Sequence, residues 1–147
     1  MISFLDSFLD EVAARTPAPG GGAVAAMTAA SAAALVSMAA RFSADPEVAT
    51  AGDELRARLV RLAADDATAY TAVLAARGAA RQEALRRATD VPREIAAAAA
   101  EVALLAHRMV AAGNPRLVGD ARVAELLAET AGQAAGVLVD INVSTQD

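Results

Sequence analysis

The sequence of 147 residues contains no cysteine, no tryptophan and no lysine, and it has a single histidine. Without cysteine the chain can form neither a disulfide nor a thiolate site, and one histidine argues against a zinc site. No metal centre and no tightly bound cofactor are therefore expected. Aromatic residues are also scarce, at 3% of the chain. This scarcity disfavours a β-sandwich, whose core needs branched and aromatic side chains.

Alanine supplies most of the bulk instead, with 43 residues. The chain is 56% apolar and 21% charged, which is the balance of a globular protein able to bury a sizeable core. Such small, helix-favouring residues predict closely packed helices and an all-α fold. Because no internal repeat or low-complexity linker appears, we expect a single domain over residues 1–147.

The charge balance limits the partners that the chain can have. All 13 basic residues are arginine, and 18 acidic residues leave a net charge of −5. This balance argues against nucleic acid or an anionic membrane as the main partner. The N-terminus carries Asp6, Asp10 and Glu11 where a signal peptide would carry positive charge, so a cytoplasmic protein is expected. The uncharged stretch 16–40 has too few large apolar residues to enter lipid and is predicted to be a buried helix.

Two N-terminal helices are predicted from helical spacing of apolar residues. The first ends at the Thr16–Pro19 segment, and its apolar stripe consists of Phe4, Leu5, Phe8, Leu9 and Val12. The second is expected from Gly20–Gly22 to about Ser43. One of its faces carries small residues, namely Ala26, Ala30, Ala33, Ser37 and Ala40; another carries Val24, Met27, Ser31, Leu35, Met38 and Phe42. Two faces suited to packing predict that this helix is central.

Start and stop signals mark the later helices. Asp45 followed by Pro46 is a strong start, and this third helix is expected to reach about Arg77, with a possible break near Gly52. Next, the sequence predicts a short helix over 83–88.

A long helix is then predicted to open at Asp90–Pro92 and to end at Gly113. Asp120 is expected to head the last helix, in which Gly132 and Gly136 permit another helix to approach closely. The result is a bundle of about five to six helices around a central helix of small residues.

The glycine triplet Gly20–Gly22 is the most informative local feature. Backbone N–H groups at the start of a helix attract anions, and glycine lets a ligand approach the backbone closely. The alternative is a tight turn whose glycines only permit close packing.

Asp66 is the second candidate. On a helical period it shares a face with Tyr70 and with apolar residues, whereas Asp65 points toward arginines. A carboxylate on an apolar face needs partners or acquires a raised pKa, which is typical of functional sites. The alternative is a buried acid bonded to N–H groups at a helix end or to an arginine.

For three other polar residues, the sequence alone favours a structural role over a catalytic one. Asp120 is an N-cap, Asn114 is a neighbour of a helix C-terminus, and His107 is a packed or surface histidine rather than a general base.

Taken together, these motifs resemble the cyclodeaminase/cyclohydrolase family. The resemblance rests on the order and spacing of five elements across nearly the whole chain. They are a first helix of the F-L-D type, Thr16–Ala26, Asp66–Tyr70, Gly113-Asn114, and a helix opened by Asp120 that ends with Val139–Asn142.

The resemblance implies an all-helical domain that dimerises, with a folate site near the subunit interface. It also implies either hydrolysis of 5,10-methenyltetrahydrofolate or loss of ammonia from 5-formiminotetrahydrofolate. By the same resemblance, Asp66 and Asp120 are the catalytic polar groups. The substrate-binding residues would be Gly20, Gly21, Gly22, Tyr70, Asn114 and Asn142.

The chain departs from the family pattern at two positions, Ala23 in place of a frequent serine and Leu138 in place of a polar residue. It also ends at Asp147, where typical members continue with a further helix, so a shortened member is expected. These departures leave two alternatives open. One is a diverged cyclase, dehydratase or C–N hydrolase acting on a non-folate metabolite, and the other is a non-catalytic helical oligomerisation module.

Overall fold

The computed structural model describes residues 2–145, so Asp147 lies outside the described residues. Within this range the chain forms five α-helices and no strand, which confirms the all-α prediction. The helices are α1 (Ile2–Ala13), α2 (Gly21–Phe42), α3 (Pro46–Ala75), α4 (Gly78–Ala112) and α5 (Val118–Ser144), with one 3₁₀ turn at Pro115–Leu117.

Helix α2 lies at the centre and packs against α3, α4 and α5. Its small-residue face is buried, as predicted, and Ala26, Ala33 and Ala40 are completely inaccessible to solvent. Short side chains let the neighbouring backbones approach closely, which an alanine-rich core requires. On the other face, Val24 and Phe42 are exposed in the single protomer. The second predicted face is therefore only partly covered within one chain, since Met27 and Leu35 pack against the core.

Helix α3 starts as predicted and continues without interruption. The N–H of Val48 donates to the Asp45 carboxylate at 3.1 Å, which caps the helix. The predicted break near Gly52 is wrong. Gly52 instead marks the crossing with α2, since a Cβ there would overlap Ser37 Oγ and stand 3.2 Å from the Ala33 carbonyl oxygen.

Helix α4 is longer than expected. A separate short helix over 83–88 and a new helix opening at Asp90–Pro92 are both wrong, because α4 runs unbroken from Gly78 to Ala112 with Pro92 inside it. Proline usually kinks or ends a helix because it lacks an N–H and leaves a carbonyl unpaired. Here a side chain from α5 compensates for that loss, as described below.

Helix α5 also begins earlier than predicted, at Val118, so Asp120 lies in its first turn and is not its N-cap. The cap at this corner is Asn114, whose Oδ1 accepts from the Arg116 N–H at 3.0 Å and starts the 3₁₀ turn that leads into α5. Gly132 lies against α4, where a Cβ would stand 3.7 Å from Ala99 Cβ, whereas a Cβ at Gly136 would meet nothing within 4 Å. The predicted close approach thus occurs at the first glycine.

Two helices, α2 and α4, are long and apolar enough to cross a membrane by length and composition alone. Most of the apolar window of α2, 61%, is buried inside the bundle, and 33% of that of α4 is buried. Burial of α2 by three other helices agrees with the prediction that it lies inside protein.

Candidate functional site

A cleft of about 350 Å³ opens where the start of α2 meets the middle of α3 and α4 and the end of α5. It brings together six of the eight predicted site residues. Its lining comprises Pro17, Ala18, Gly20, Gly21, Gly22, Asp66, Tyr70, Ala88, Pro92, Leu138, Ile141 and Asn142. An open cleft at this convergence counts against the non-catalytic alternative, which a filled, dry core would have favoured.

Gly22 and Asp66 are in direct contact at the centre of the cleft. Gly22 is buried in the first turn of α2, and a Cβ there would overlap all three atoms of the Asp66 carboxyl group. Any larger residue at this position would therefore force the Asp66 carboxyl group to move. At Gly20 a Cβ would meet nothing within 4 Å, and at Gly21 it would stand 4.0 Å from Leu138. These two glycines leave space in the cleft rather than relieving a clash.

Asp66 lies against the N-terminus of α2. Its carboxylate accepts a hydrogen bond from the backbone N–H of Ala23, and it has no ion-pair partner within residues 2–145. Burial raises the pKa of Asp66 above its ordinary value, and the Ala23 hydrogen bond opposes this effect only in part. The outcome combines both sequence interpretations, because Asp66 is bonded to a helix end and also has the raised pKa of a proton-transfer group.

Tyr70 follows Asp66 by one turn of α3 and lines the same cleft, with 48% of its surface exposed. The opposite wall is apolar and includes Pro92, Leu138 and Ile141. A carboxylate between an apolar wall and a backbone cradle is weakly screened, so its field acts strongly on a bound cation.

Asn142 links two helices at the rim of the cleft. Its Nδ2 donates to the carbonyl oxygen of Ala88 at 2.8 Å. In an ordinary α-helix, that carbonyl would accept a hydrogen bond from the N–H of residue 92. Pro92 has no N–H, so this hydrogen bond cannot form. The side chain of Asn142 thus satisfies the backbone group that proline leaves unpaired, and it holds the last turns of α5 against α4.

This arrangement predicts a strong energetic coupling between Pro92 and Asn142. Asn142→Leu should destabilise the protein by about 1–3 kcal/mol, because it leaves the partly buried Ala88 carbonyl without its side-chain donor. In a Pro92→Ala background, the N–H of residue 92 can bond to Ala88, so the same substitution should cost clearly less. Urea unfolding of the four proteins in a double-mutant cycle measures the difference. Additive effects would contradict the compensating role of Asn142.

Asn114 and Asp120 do not line this cleft in one protomer. Asn114 Nδ2 donates to the Phe42 carbonyl at 3.1 Å, so it lies at the C-terminal end of α2, whereas the cleft is at the N-terminal end. A helix of 22 residues separates these ends by about 30 Å. Asp120 is exposed in the first turn of α5, while α5 meets the cleft near its other end. Their assignment as site residues stays a prediction.

A wider groove of about 850 Å³ lies between α4 and α5, with alanine and glycine along its floor. Two of its polar side chains are paired with each other, since His107 Nδ1 lies 2.8 Å from Glu125, and Arg122 donates to the same carboxylate at 3.0 Å. Hydrogen bonds from His107 and Arg122 hold the pKa of Glu125 below its usual range. His107 is 69% exposed at its side chain, so of the two alternatives, a packed or a surface histidine, the structure shows the second.

Helix α4 contributes to the site, although no residue of this segment was predicted to do so. Ala88 and Pro92 line the cleft, but Pro92 was interpreted only as a helix start. The signal that could have revealed them is an Asn at the end of the last helix, which can replace the hydrogen bond that an internal proline lacks.

Comparisons with known proteins agree with this fold. Residues 4–147 match the family model described as formiminotransferase-cyclodeaminase. The chain is 35% identical to methenyltetrahydrofolate cyclohydrolase of Methylorubrum extorquens, an alignment that covers 97% of this chain and 80% of that protein. It is 31% identical to formimidoyltransferase-cyclodeaminase of Rattus norvegicus, of which it spans only 31%. The crystal structure of formiminotetrahydrofolate cyclodeaminase from Thermotoga maritima superposes with a TM-score of 0.92 at 32% identity, covering 96% of this chain and 78% of that one.

Proposed function

The chain belongs to the formiminotransferase-cyclodeaminase family, and we propose that, as a folate one-carbon enzyme, it hydrolyses 5,10-methenyltetrahydrofolate to 10-formyltetrahydrofolate. The observation that carries this proposal is the half-buried carboxylate of Asp66, which has a raised pKa and lies in a cleft with one apolar wall. The matched cyclohydrolase supports the reaction, because the chain covers 80% of that protein.

The chemistry starts at a carbon that bridges two nitrogens and shares a positive charge with them. A water oxygen bonds to this carbon and gives a tetrahedral intermediate. The bond from the carbon to N5 then breaks, and N5 gains a proton while the hydroxyl loses one to form the formyl group. One proton is released in total. The reaction needs a group that accepts a proton in the first step and delivers it in the second.

Asp66 is suited to both steps. As a carboxylate it stabilises the cationic substrate and accepts a proton from the attacking water. As a carboxylic acid it then donates that proton to N5, which a group with an ordinary aspartate pKa does less readily at neutral pH. The Ala23 N–H and the absence of a Cβ at Gly22 hold the carboxylate in place. Tyr70 and Asn142, which line the same cleft, orient the flat substrate.

The direct test follows the absorbance of methenyltetrahydrofolate in the presence of the purified protein. Consumption above the buffer-catalysed rate, with 10-formyltetrahydrofolate as the product, supports the proposal. A folded protein that gives no acceleration at any concentration tested would rule it out.

The pH profile provides a second test. Because the carboxylate form of Asp66 is the base, kcat/KM should fall as pH decreases through the pKa of this group. Burial raises that pKa, so the decline should lie at higher pH than for an ordinary aspartate. The measurement is kcat/KM between acidic and neutral pH, corrected for the non-enzymatic rate. A profile without this decline would exclude Asp66 as the base.

A second candidate reaction is loss of ammonia from 5-formiminotetrahydrofolate, and the structural match to the Thermotoga maritima cyclodeaminase favours it. It passes through the same kind of tetrahedral carbon, with ammonia as the leaving group. Release of ammonia from the formimino substrate, compared with turnover of the methenyl substrate, distinguishes the two activities.

We also propose that residues 1–147 act as one domain and assemble as a homodimer in the cytoplasm, without a tightly bound cofactor. The dimer is supported by apolar side chains that one protomer leaves exposed, including Phe4 and Leu5 on α1 and Val24 and Phe42 on α2. Burial of these residues against a second copy removes them from water. Sedimentation equilibrium tests the assembly, and a monomer at micromolar concentration would contradict it.

A further inference from the structure

A second recess adjoins the catalytic cleft along one face of α4. It has a volume of about 510 Å³ and is lined by Gly78, Arg81, Gln82, Leu85, Arg86 and Thr145. Arg81 and Leu85 follow the spacing that continues to Ala88 and Pro92 in the cleft, with intervals of four, three and four residues. Residues at this spacing share one face of a helix. The two recesses are therefore consecutive on the same surface of α4.

Arg81 is held in position by α3. Its Nη1 donates to the carbonyl oxygen of Val73 at 2.8 Å. Val73 follows Tyr70 by one turn and Asp66 by two turns, a distance of roughly 10 Å along the axis of α3. The guanidinium group is thus placed beyond Tyr70, at a fixed distance from the catalytic carboxylate.

The charge of Arg81 is not neutralised by any acidic side chain within residues 2–145, whereas Arg86 in the same recess is paired with Glu83. Arg81 is also partly buried. A guanidinium group has five N–H donors in a planar arrangement that suits a carboxylate, and the Val73 carbonyl accounts for one of them. In a chain with a net charge of −5, an unneutralised and partly buried cation beside the cleft suits an anionic ligand.

We propose that Arg81 binds the terminal carboxylates of the folate substrate and so determines its specificity for glutamate-bearing folates. This inference rests on the proposed function. In an extended folate, the nearer glutamate carboxylate follows the one-carbon unit through the aminobenzoyl ring and one amide, a straight-line separation of roughly 10 Å from ordinary bond lengths. This separation matches the roughly 10 Å along α3 between Asp66 and Val73, the residue whose carbonyl group holds Arg81. Arg81 acts on substrate binding and has no part in the bond-breaking steps.

The experiment combines one substitution with one change in the substrate. Wild type and Arg81→Gln are assayed with methenyltetrahydrofolate and with an analogue whose glutamate is replaced by an uncharged methyl amide. In wild type, KM should be about tenfold lower for the glutamate-bearing substrate, the size of one charge-assisted hydrogen bond at a partly exposed site. Arg81→Gln should lose this preference through KM, with kcat nearly unchanged.

Arg77→Gln is the matched control, because Arg77 also donates to carbonyl groups at the end of α3, those of Leu74 and Ala76, but does not line the recess. It should keep the wild-type preference, although it loses a similar helix-capping contact. Arg81→Lys retains the charge and should retain part of the preference.

Three other outcomes would overturn the inference. Equal losses on both substrates in Arg81→Gln would show that Arg81 only stabilises the fold, and the inference would be wrong. Equal KM values for both substrates in an active wild type would overturn the inference alone. A wild type inactive on both substrates would overturn the proposed function, and the inference with it.

Discussion

Replacing Asp66 by asparagine is expected to lower kcat by about 10³-fold, within the range that general acid–base groups contribute. Asparagine keeps the size of the side chain but can neither accept a proton from water nor return it to N5. Initial rates with methenyltetrahydrofolate measure the loss. Asp65→Asn is the matched control, because Asp65 is exposed on the neighbouring face of α3 and forms an ion pair with Arg87 at 3.2 Å. It should keep full activity, and an active Asp66→Asn variant would show that the proton is transferred elsewhere.

The same substitution should leave the protein at least as stable at neutral pH. Burial raises the pKa of Asp66 in the folded state above its value in the unfolded chain. As pH rises between these two values, the unfolded chain loses its proton first, so the free energy of unfolding decreases. The cost is fully present above the folded pKa, and Asp66→Asn removes it. Urea unfolding at acidic and neutral pH should therefore show a greater relative stability of the variant at neutral pH.

Gly22→Ala is expected to reduce both stability and activity, because a Cβ at this position would overlap the Asp66 carboxyl group. Either the carboxylate leaves its place beside the Ala23 N–H, or α2 and α3 move apart. Overpacking of this kind costs about 1–3 kcal/mol, and we expect kcat to fall at least 100-fold because proton-transfer groups act only in the correct position. Urea unfolding and initial rates measure the two effects.

Gly119→Ala is the matched control for this prediction. Gly119 also lies in the first turn of a helix, α5, and a Cβ there would meet nothing within 4 Å. Alanine has a higher helix propensity than glycine, so this variant should be as stable as wild type or slightly more stable. If Gly22→Ala behaved like Gly119→Ala, the close contact between α2 and Asp66 would have no functional importance.

Much of the fold follows from local signals in the sequence. The Asp45 cap, the small-residue face of α2 and the proline-rich stop after α1 are all visible as short patterns, and each helix they predict is present. The cleft residues Gly20–Gly22, Asp66 and Tyr70 could likewise be identified, because a carboxylate on an apolar face and three consecutive glycines are local anomalies.

The errors arose where a distant residue overrides a local preference. A proline in the position of Pro92 normally indicates the start of a helix. Helix α4 nevertheless continues through it, because Asn142, fifty positions later, donates a hydrogen bond to the carbonyl that proline leaves without its usual donor. Gly52 normally weakens a helix, yet it is kept because Ser37 on α2 leaves no space for a Cβ. Asp120 was expected as an N-cap, but Asn114 starts a 3₁₀ turn that moves the helix start to Val118. Periodicity within one segment contains no information on such pairings.

The hydrogen bond between Asn142 and the Ala88 carbonyl also restricts opening of the cleft by movement of α5 relative to α4. If the end of α5 moves away from α4, it exposes a carbonyl whose usual donor in the helix, the N–H of residue 92, is missing. The hydrogen bond therefore holds the apolar wall formed by Leu138 and Ile141 against α4. The substrate then binds in a cleft whose width is determined before binding. Such preorganisation lowers the entropy that must be lost when the substrate binds.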